Sequence, residues 1–172
     1  MINTKITAAL NEQLNMEYYS AYSYLAMSAY FLTQNLNGFA HWMRVQAQEE
    51  LTHGMKIYDF LDDREADIRF STIETPKQSW DSPLEVFEDS LAQEQKVSQS
   101  IYNIADLALS ERDHATHTFL QWFIAEQVEE EAIVRELIDT IKLVGIEGNG
   151  LFLLDRDLAQ RGLNGTDTTE GQ

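Results

Sequence analysis

Apolar residues recur along this chain at alternating steps of three and four, in four long stretches, which predicts four long helices. The first stretch spans about residues 3–35. Its stripe runs Leu10, Leu14, Glu17, Ala21, Tyr24, Ser28 and Phe31, and Asn3 or Thr4 is placed to cap its start. A turn signal, Asn35-Leu36-Asn37-Gly38, separates it from the second stretch, about 39–64, with Phe39, Met43, Gln46, Glu50, His53, Ile57 and Phe60 in register. The pattern then stops. Residues 65–82 are of mixed polarity and contain Thr75-Pro76. A segment of that length is long for a loop and suits a crossover from one end of a bundle to the other. Ser82-Pro83 opens the third stretch, because proline fits a first helical turn. Its stripe is Leu84, Phe87, Leu91, Glu94, Ser98, Ile101, Ala105 and Ala108. The fourth begins near Asp113 with Thr116, Leu120, Phe123, Gln127, Glu130, Val134, Leu137 and Ile141, and Gly145, Gly148 and Gly150 end it. An apolar-rich piece at 151–160 predicts a short fifth helix.

Helices of about 27 residues are rods of about 40 Å, too long for a globin-like ball. The expected fold class is all-α: a four-helix bundle with a long crossover between helices 2 and 3 and a short C-terminal fifth helix. Composition agrees. Of 172 residues only two are proline, and six of the eight glycines fall at or after Gly145. Residues 1–161 form one expected domain, and the polar stretch 162–172 reads as a flexible tail.

Charge narrows the function. Twenty-nine acids against twelve bases give a net charge of −17. That argues against nucleic acid and anionic membrane as partners. No apolar run reaches the roughly 18 residues of a membrane span, and the N-terminus lacks a charged leader followed by an apolar run, so a cytoplasmic protein is expected. The absence of cysteine excludes disulfides, iron–sulfur clusters, thiolate zinc sites and a cysteine nucleophile. What is left is an acidic surface kept for solubility, or carboxylates that serve cations.

The stripes favour the second. Each is interrupted near its middle by polar residues: Glu17; Glu50 and His53; Glu94; Gln127 and Glu130. A carboxylate on a buried stripe is unfavourable unless paired or metal-bound. Four at similar heights would repel one another severely without a cation. Glu50 and His53 stand at i and i+3, able to reach one metal. Di-metal carboxylate bundles use one Glu from each of two helices and a Glu-x-x-His from each of the others. Here helix 2 supplies that motif, helix 4 supplies Gln127-x-x-Glu130, and four carboxylates balance two divalent ions. Oxygen donors with one imidazole suit iron or manganese better than structural zinc. The competing explanation is a set of interhelical hydrogen bonds, but only Gln127 and His53 could donate and the acids outnumber them. Glu49, Glu126 and Glu129 each adjoin a proposed ligand and could form an extra cation site, although acidic runs are by default solvated helix faces. Tyr24 serves either at the centre, hydrogen-bonding a ligand or supplying an electron, or as a core tyrosine. Trp42, Trp80 and Trp122 are expected to pack, His114 and His117 to lie at a surface or interface, and His41 to be exposed.

On these residues the sequence resembles the bacterial non-haem ferritins. The resemblance covers roughly residues 5–160 and includes Asn11-Glu12-Gln13-Leu14-Asn15-Met16-Glu17, Ala47-Gln48-Glu49-Glu50-Leu51-Thr52-His53, Phe119-Leu120-Gln121-Trp122 and Glu126-Gln127-Val128-Glu129-Glu130. It implies a first iron site at Glu17, Glu50 and His53. It implies a second at Glu94 and Glu130, with Glu50 as bridge, Gln127 close by and Tyr24 beside the centre. Glu49, Glu126 and Glu129, with Glu130 shared, are similar to the third iron site of bacterial members. The family also implies a homo-oligomeric shell of 24 subunits, with the fifth helix at the fourfold axes. Bacterioferritins differ by a second Glu-x-x-His on helix 4 and a haem-binding methionine where Leu51 stands here, so no haem is expected. Rubrerythrins need cysteines that this chain lacks. Animal heavy chains line the threefold channel with acids, whereas His117 and Leu120 hold the corresponding places.

The implied function is a ferroxidase and iron store, oxidising Fe²⁺ with O₂ or H₂O₂ and holding the ferric product as mineral. The alternative is a di-iron enzyme that activates oxygen on an organic substrate.

Overall fold

The computed structural model describes residues 2–145 and 148–162. Among them are five helices and no strand: α1 (Thr4–Thr33), α2 (Asn37–Asp63), α3 (Pro83–Ser110), α4 (His114–Val144) and α5 (Asn149–Leu158). The protein is all-α, as its periodicity predicts. The expected flexible tail lies, from residue 163 onward, outside the described residues. No described helix is long and apolar enough to cross a membrane.

Local chemistry sets most helix ends. The Asn3 side chain accepts from the Lys5 N–H at 2.8 Å and caps α1. Ser82 caps α3 ahead of Pro83 by accepting from the Glu85 N–H, and the Glu85 carboxylate returns to the Asp81 N–H. Asp113 caps α4 through the Thr116 N–H and also holds the Arg64 guanidinium at 3.0 Å, tying the end of α2 to the start of α4. Asn35 closes α1 in the left-handed region, φ 58°, which asparagine tolerates. The less adaptable Glu65 and Arg112 do the same after α2 and α3, at φ 54° and 57°.

Leu36 gives α2 no side-chain cap, and help comes from α5 instead. The Asp155 carboxylate accepts from the N–H groups of Gly38 and Phe39 at 2.8 and 3.0 Å. Gly38 is obligatory there, because a Cβ would stand 1.6 Å from the Asp155 carbonyl oxygen.

Two apolar clusters fill the bundle. One joins the N-terminal part of α1 (Ile6, Leu10, Leu14) to Ile57 and Leu61 of α2, Val97 and Ile101 of α3, and Leu120 and Phe123 of α4. The other joins Phe31, Phe39, Met43, Phe87, Val134 and Ile141 to Leu151, Leu154 and Leu158 of α5. Burial of each such side chain contributes about 1.5–3 kcal/mol. The pairing of ends makes α1 antiparallel to α2 and α3, and parallel to α4. That topology requires the long crossover, and residues 64–82 supply it largely on the surface. The predicted stripes drift slightly: Phe60, Leu84, Leu91 and Leu137 are half-buried, while Leu61, Ser90 and Ile138 face inward. A straight helix advances a little beyond the three–four stepping at each repeat.

Candidate metal centre

Between the two apolar clusters lies a polar waist. Glu17, Glu50, His53, Glu94, Gln127 and Glu130 are all at most 3% exposed. Glu17 comes from α1, Glu50 and His53 from α2, Glu94 from α3, and Gln127 and Glu130 from α4, so every helix of the bundle contributes.

The waist has two faces. On one, Glu17, Glu50 and His53 present ligand atoms within 4.8 Å of one another. His53 Nδ1 stands 3.6 Å from Glu50 Oε2 and 4.0 Å from Glu17 Oε2. Glu17 Oε2, both oxygens of Glu50 and His53 Nδ1 are buried and have no hydrogen-bond partner among the described residues. The other oxygen of Glu17 accepts from the Gln13 amide at 2.7 Å. Native interiors rarely leave such groups unpaired, so this face has the donor set and the unmet demand of a cation site.

On the second face the carboxylates are already held. Glu94 Oε1 accepts a very short bond from the Tyr24 hydroxyl, which also contacts Ser90 Oγ at 2.9 Å. Glu94 Oε2 accepts from Gln127 Nε2 at 3.0 Å. Glu130 Oε2 accepts from Gln46 Nε2 at 2.7 Å.

The electrostatics follow from crowding acids in a dry waist. Burial, then the charge of Glu94, pushes Glu50 up to about 7. Burial, then the charge of Glu130, pushes Glu94 up to about 7. Burial and the neighbouring Glu50 hold Glu17 well above the carboxylate range. Glu130 is raised by burial against the opposing pull of Gln46. For His53, burial alone would lower the imidazole, but Glu126, Glu50 and Glu17 outweigh it and push it up to about 11. Each of these shifts favours the protonated form of its group.

The sequence-predicted outer residues are only partly gathered. Glu126 turns inward, with Oε1 3.8 Å from His53 Nε2, and groups with His53 and Glu130; the imidazole holds its carboxyl below the usual range. Glu129 is exposed. Glu49 pairs with Arg161 at 2.6 Å. Tyr24 is fully buried, and its hydroxyl donates to Glu94. His114 is exposed and His117 half-buried. His41, expected to be exposed, is half-buried because its Nε2–H donates to the Arg161 carbonyl at 2.8 Å. Trp42 and Trp80 pack as expected. Trp122 is 39% exposed, with its ring edge-on to His53 and the Lys56 amine over its face.

Four contributors carry no role in the sequence reading: Gln13, Gln46, Ser90 and Arg161. Gln13 and Gln46 each precede a predicted ligand by four residues, Glu17 and Glu50, so one turn of helix was the available signal. Nothing local marks Arg161.

A four-helix bundle with buried carboxylates and one histidine at its waist, partly without hydrogen bonds, is compatible with the class of carboxylate-bound cation centres. A family model for the ferritin-like domain matches residues 7–144. A bacterial non-heme ferritin of Staphylococcus epidermidis is 46% identical over 164 residues, 95% of this chain and 99% of that protein. One of Staphylococcus aureus is 42% identical over 161 residues, 94% and 97% of the two chains. The open-pore ferritin of the hyperthermophilic archaeon Archaeoglobus fulgidus superposes with a TM-score of 0.93 at 44% identity, over 94% of this chain and all of that one. The chain belongs to the ferritin family, alongside the bacterial non-haem members.

Proposed function

We propose that this protein stores iron and oxidises it on the way in. Two Fe²⁺ ions are the substrate of each subunit. The first is taken by Glu17, Glu50 and His53, the second by Glu94 and Glu130 with Gln127 beside them, and Glu50 lies between the two. The observation that carries this reading is the buried set of oxygens and Nδ1 on the first face that make no hydrogen bond among the described residues. Anionic ligands stabilise Fe³⁺ more than Fe²⁺, so the waist favours loss of an electron from each ion, and holding both ions side by side makes a two-electron transfer local. Two Fe²⁺ reduce one O₂, with two protons, to H₂O₂; with H₂O₂ as oxidant, two further Fe²⁺ and two protons give water. Tyr24 and Gln127 position Glu94, and Gln46 positions Glu130. The ferric product leaves for the interior of a closed shell, for which the family supports 24 copies.

Aerobic addition of Fe²⁺ to the sized protein tests this. The expected result is soluble ferric iron co-eluting with an assembly of about 475 kDa, for 24 copies of a 19.8 kDa chain. Ferric precipitate separating from a monomer or dimer would overturn the storage reading.

A further inference from the structure

The residue that holds Glu49 comes from the far side of the chain. Arg161 follows α5, and α5 is anchored on α2 through Asp155 and the Gly38 and Phe39 N–H groups. From that anchor the Arg161 guanidinium lies over the Trp42 ring, 4.3 Å from its centre. One arm donates to Glu49 Oε2 at 2.6 Å and the other to Gln46 Oε1 at 2.8 Å. The ion pair is largely enclosed, with side-chain exposures of 13% for Arg161 and 8% for Glu49. Its backbone carbonyl is fixed by His41.

Two consequences follow. Glu49 is one of the acids that the family resemblance implies for a third cation; it lies close enough to raise the Glu130 carboxyl, and a guanidinium already pairs with it. A planar fork that also engages Gln46 is better organised for that place than a flexible ammonium. Moreover, Gln46 has one acceptor end and one donor end. With Arg161 on its carbonyl, only its amide is left for Glu130, which it meets at 2.7 Å. Arg161 therefore reaches the second half of the centre through a single side chain.

We propose that Arg161 is a resident cation and positioning residue: it occupies the Glu49 side of the third cation position and orients Gln46 onto Glu130. A third metal ion binds through Glu49 only when Arg161 swings away. This rests on the cation-centre reading above, since it assumes that the waist takes two ions.

The test is anaerobic calorimetry with Zn²⁺ alone on the assembled protein, comparing wild type, Arg161→Gln, Arg161→Lys, and Glu49→Gln with and without Arg161→Gln. Sizing of each variant confirms the same assembly. The wild type is expected to take two tight Zn²⁺ per subunit and Arg161→Gln three. The added event should vanish in the Glu49→Gln, Arg161→Gln double variant. Arg161→Lys should stay at two, because its ammonium still neutralises Glu49. Two ions in both wild type and Arg161→Gln, or three in the wild type, would overturn the proposal while leaving the paired centre standing. No tight Zn²⁺ in the wild type would instead overturn the paired centre itself, and this proposal with it. A third ion that survives the double variant would show that it does not use Glu49, and would also overturn the proposal.

Discussion

On the α1–α2 face of the waist, Glu17 Oε2, both oxygens of Glu50 and His53 Nδ1 are buried and make no hydrogen bond among the described residues. On the α3–α4 face, Glu94 is held by Tyr24 and Gln127, and Glu130 by Gln46. Both sides are built of buried carboxylates, but on the first only Glu17 Oε1 has a protein donor, the Gln13 amide, whereas on the second both carboxylates are held. A cation arriving at the first face meets one such hydrogen bond, from Gln13 to Glu17 Oε1, and leaves the other oxygens and Nδ1 to be satisfied. At the second it competes with hydrogen bonds already made, which are each worth about 1.5–3 kcal/mol when the acceptor is charged. The first face should therefore fill first and hold more tightly, and the second should be the exchangeable one, suited to passing ions on.

The largest effect should come from removing Glu50, the proposed ligand shared by the two faces. Glu50→Ala, or His53→Ala on the first face, should slow the fast phase of iron oxidation at least about 100-fold in stopped-flow absorbance. Unchanged kinetics would dissolve the distinction between the faces along with the centre.

Acid should act next. Glu50 and Glu94 stand near 7 against an ordinary 4.5, so the cation-free fold is favoured by their protonation and loses that contribution as pH rises through about 7. Cations must displace these protons and the one on His53. Zn²⁺ affinity by calorimetry should accordingly rise about tenfold or more from pH 5.5 to 7.5. A flat profile would mean that the waist is already deprotonated.

Tyr24→Phe sharpens the comparison from the partnered side. It leaves Glu94 Oε1 and Ser90 without their buried hydroxyl, a loss of about 1–3 kcal/mol in the cation-free protein. Thermal melts with and without Zn²⁺ should show a lower Tm that the cation largely restores, with slower recovery of the centre between rounds of oxidation and an intact assembly. The smallest effect belongs to Glu129→Ala. The exposed Glu129 should leave the initial oxidation within about twofold of the wild type, with any change confined to later turnovers.

Much of this was legible from periodicity. Glu17, Glu50, His53, Glu94, Gln127 and Glu130 interrupt apolar stripes at one height, and burial follows because the residues a turn away on either side are core. Three things were not legible. Helices α2 and α3 end at Glu65 and Arg112 in the left-handed region, with no glycine or asparagine to announce it. The hydrogen-bond donors of the partnered face include Ser90, which lies one position off the expected stripe and faces inward through slow helical drift. Finally, Glu49 reads as a solvated or metal-binding acid until a residue 112 positions later folds over it. Contacts of that range depend on how α5 docks, and Gly38 and Asp155 reveal the docking only when they are seen together.

The most direct measurement is stopped-flow oxidation of Fe²⁺ by O₂ on the sized assembly, titrated in iron per subunit, for the wild type beside Glu50→Ala. The account predicts a fast burst that saturates at two Fe²⁺ per subunit in the wild type and is missing in the variant. An equal burst in Glu50→Ala, or no burst above the rate in buffer for the wild type, would contradict it.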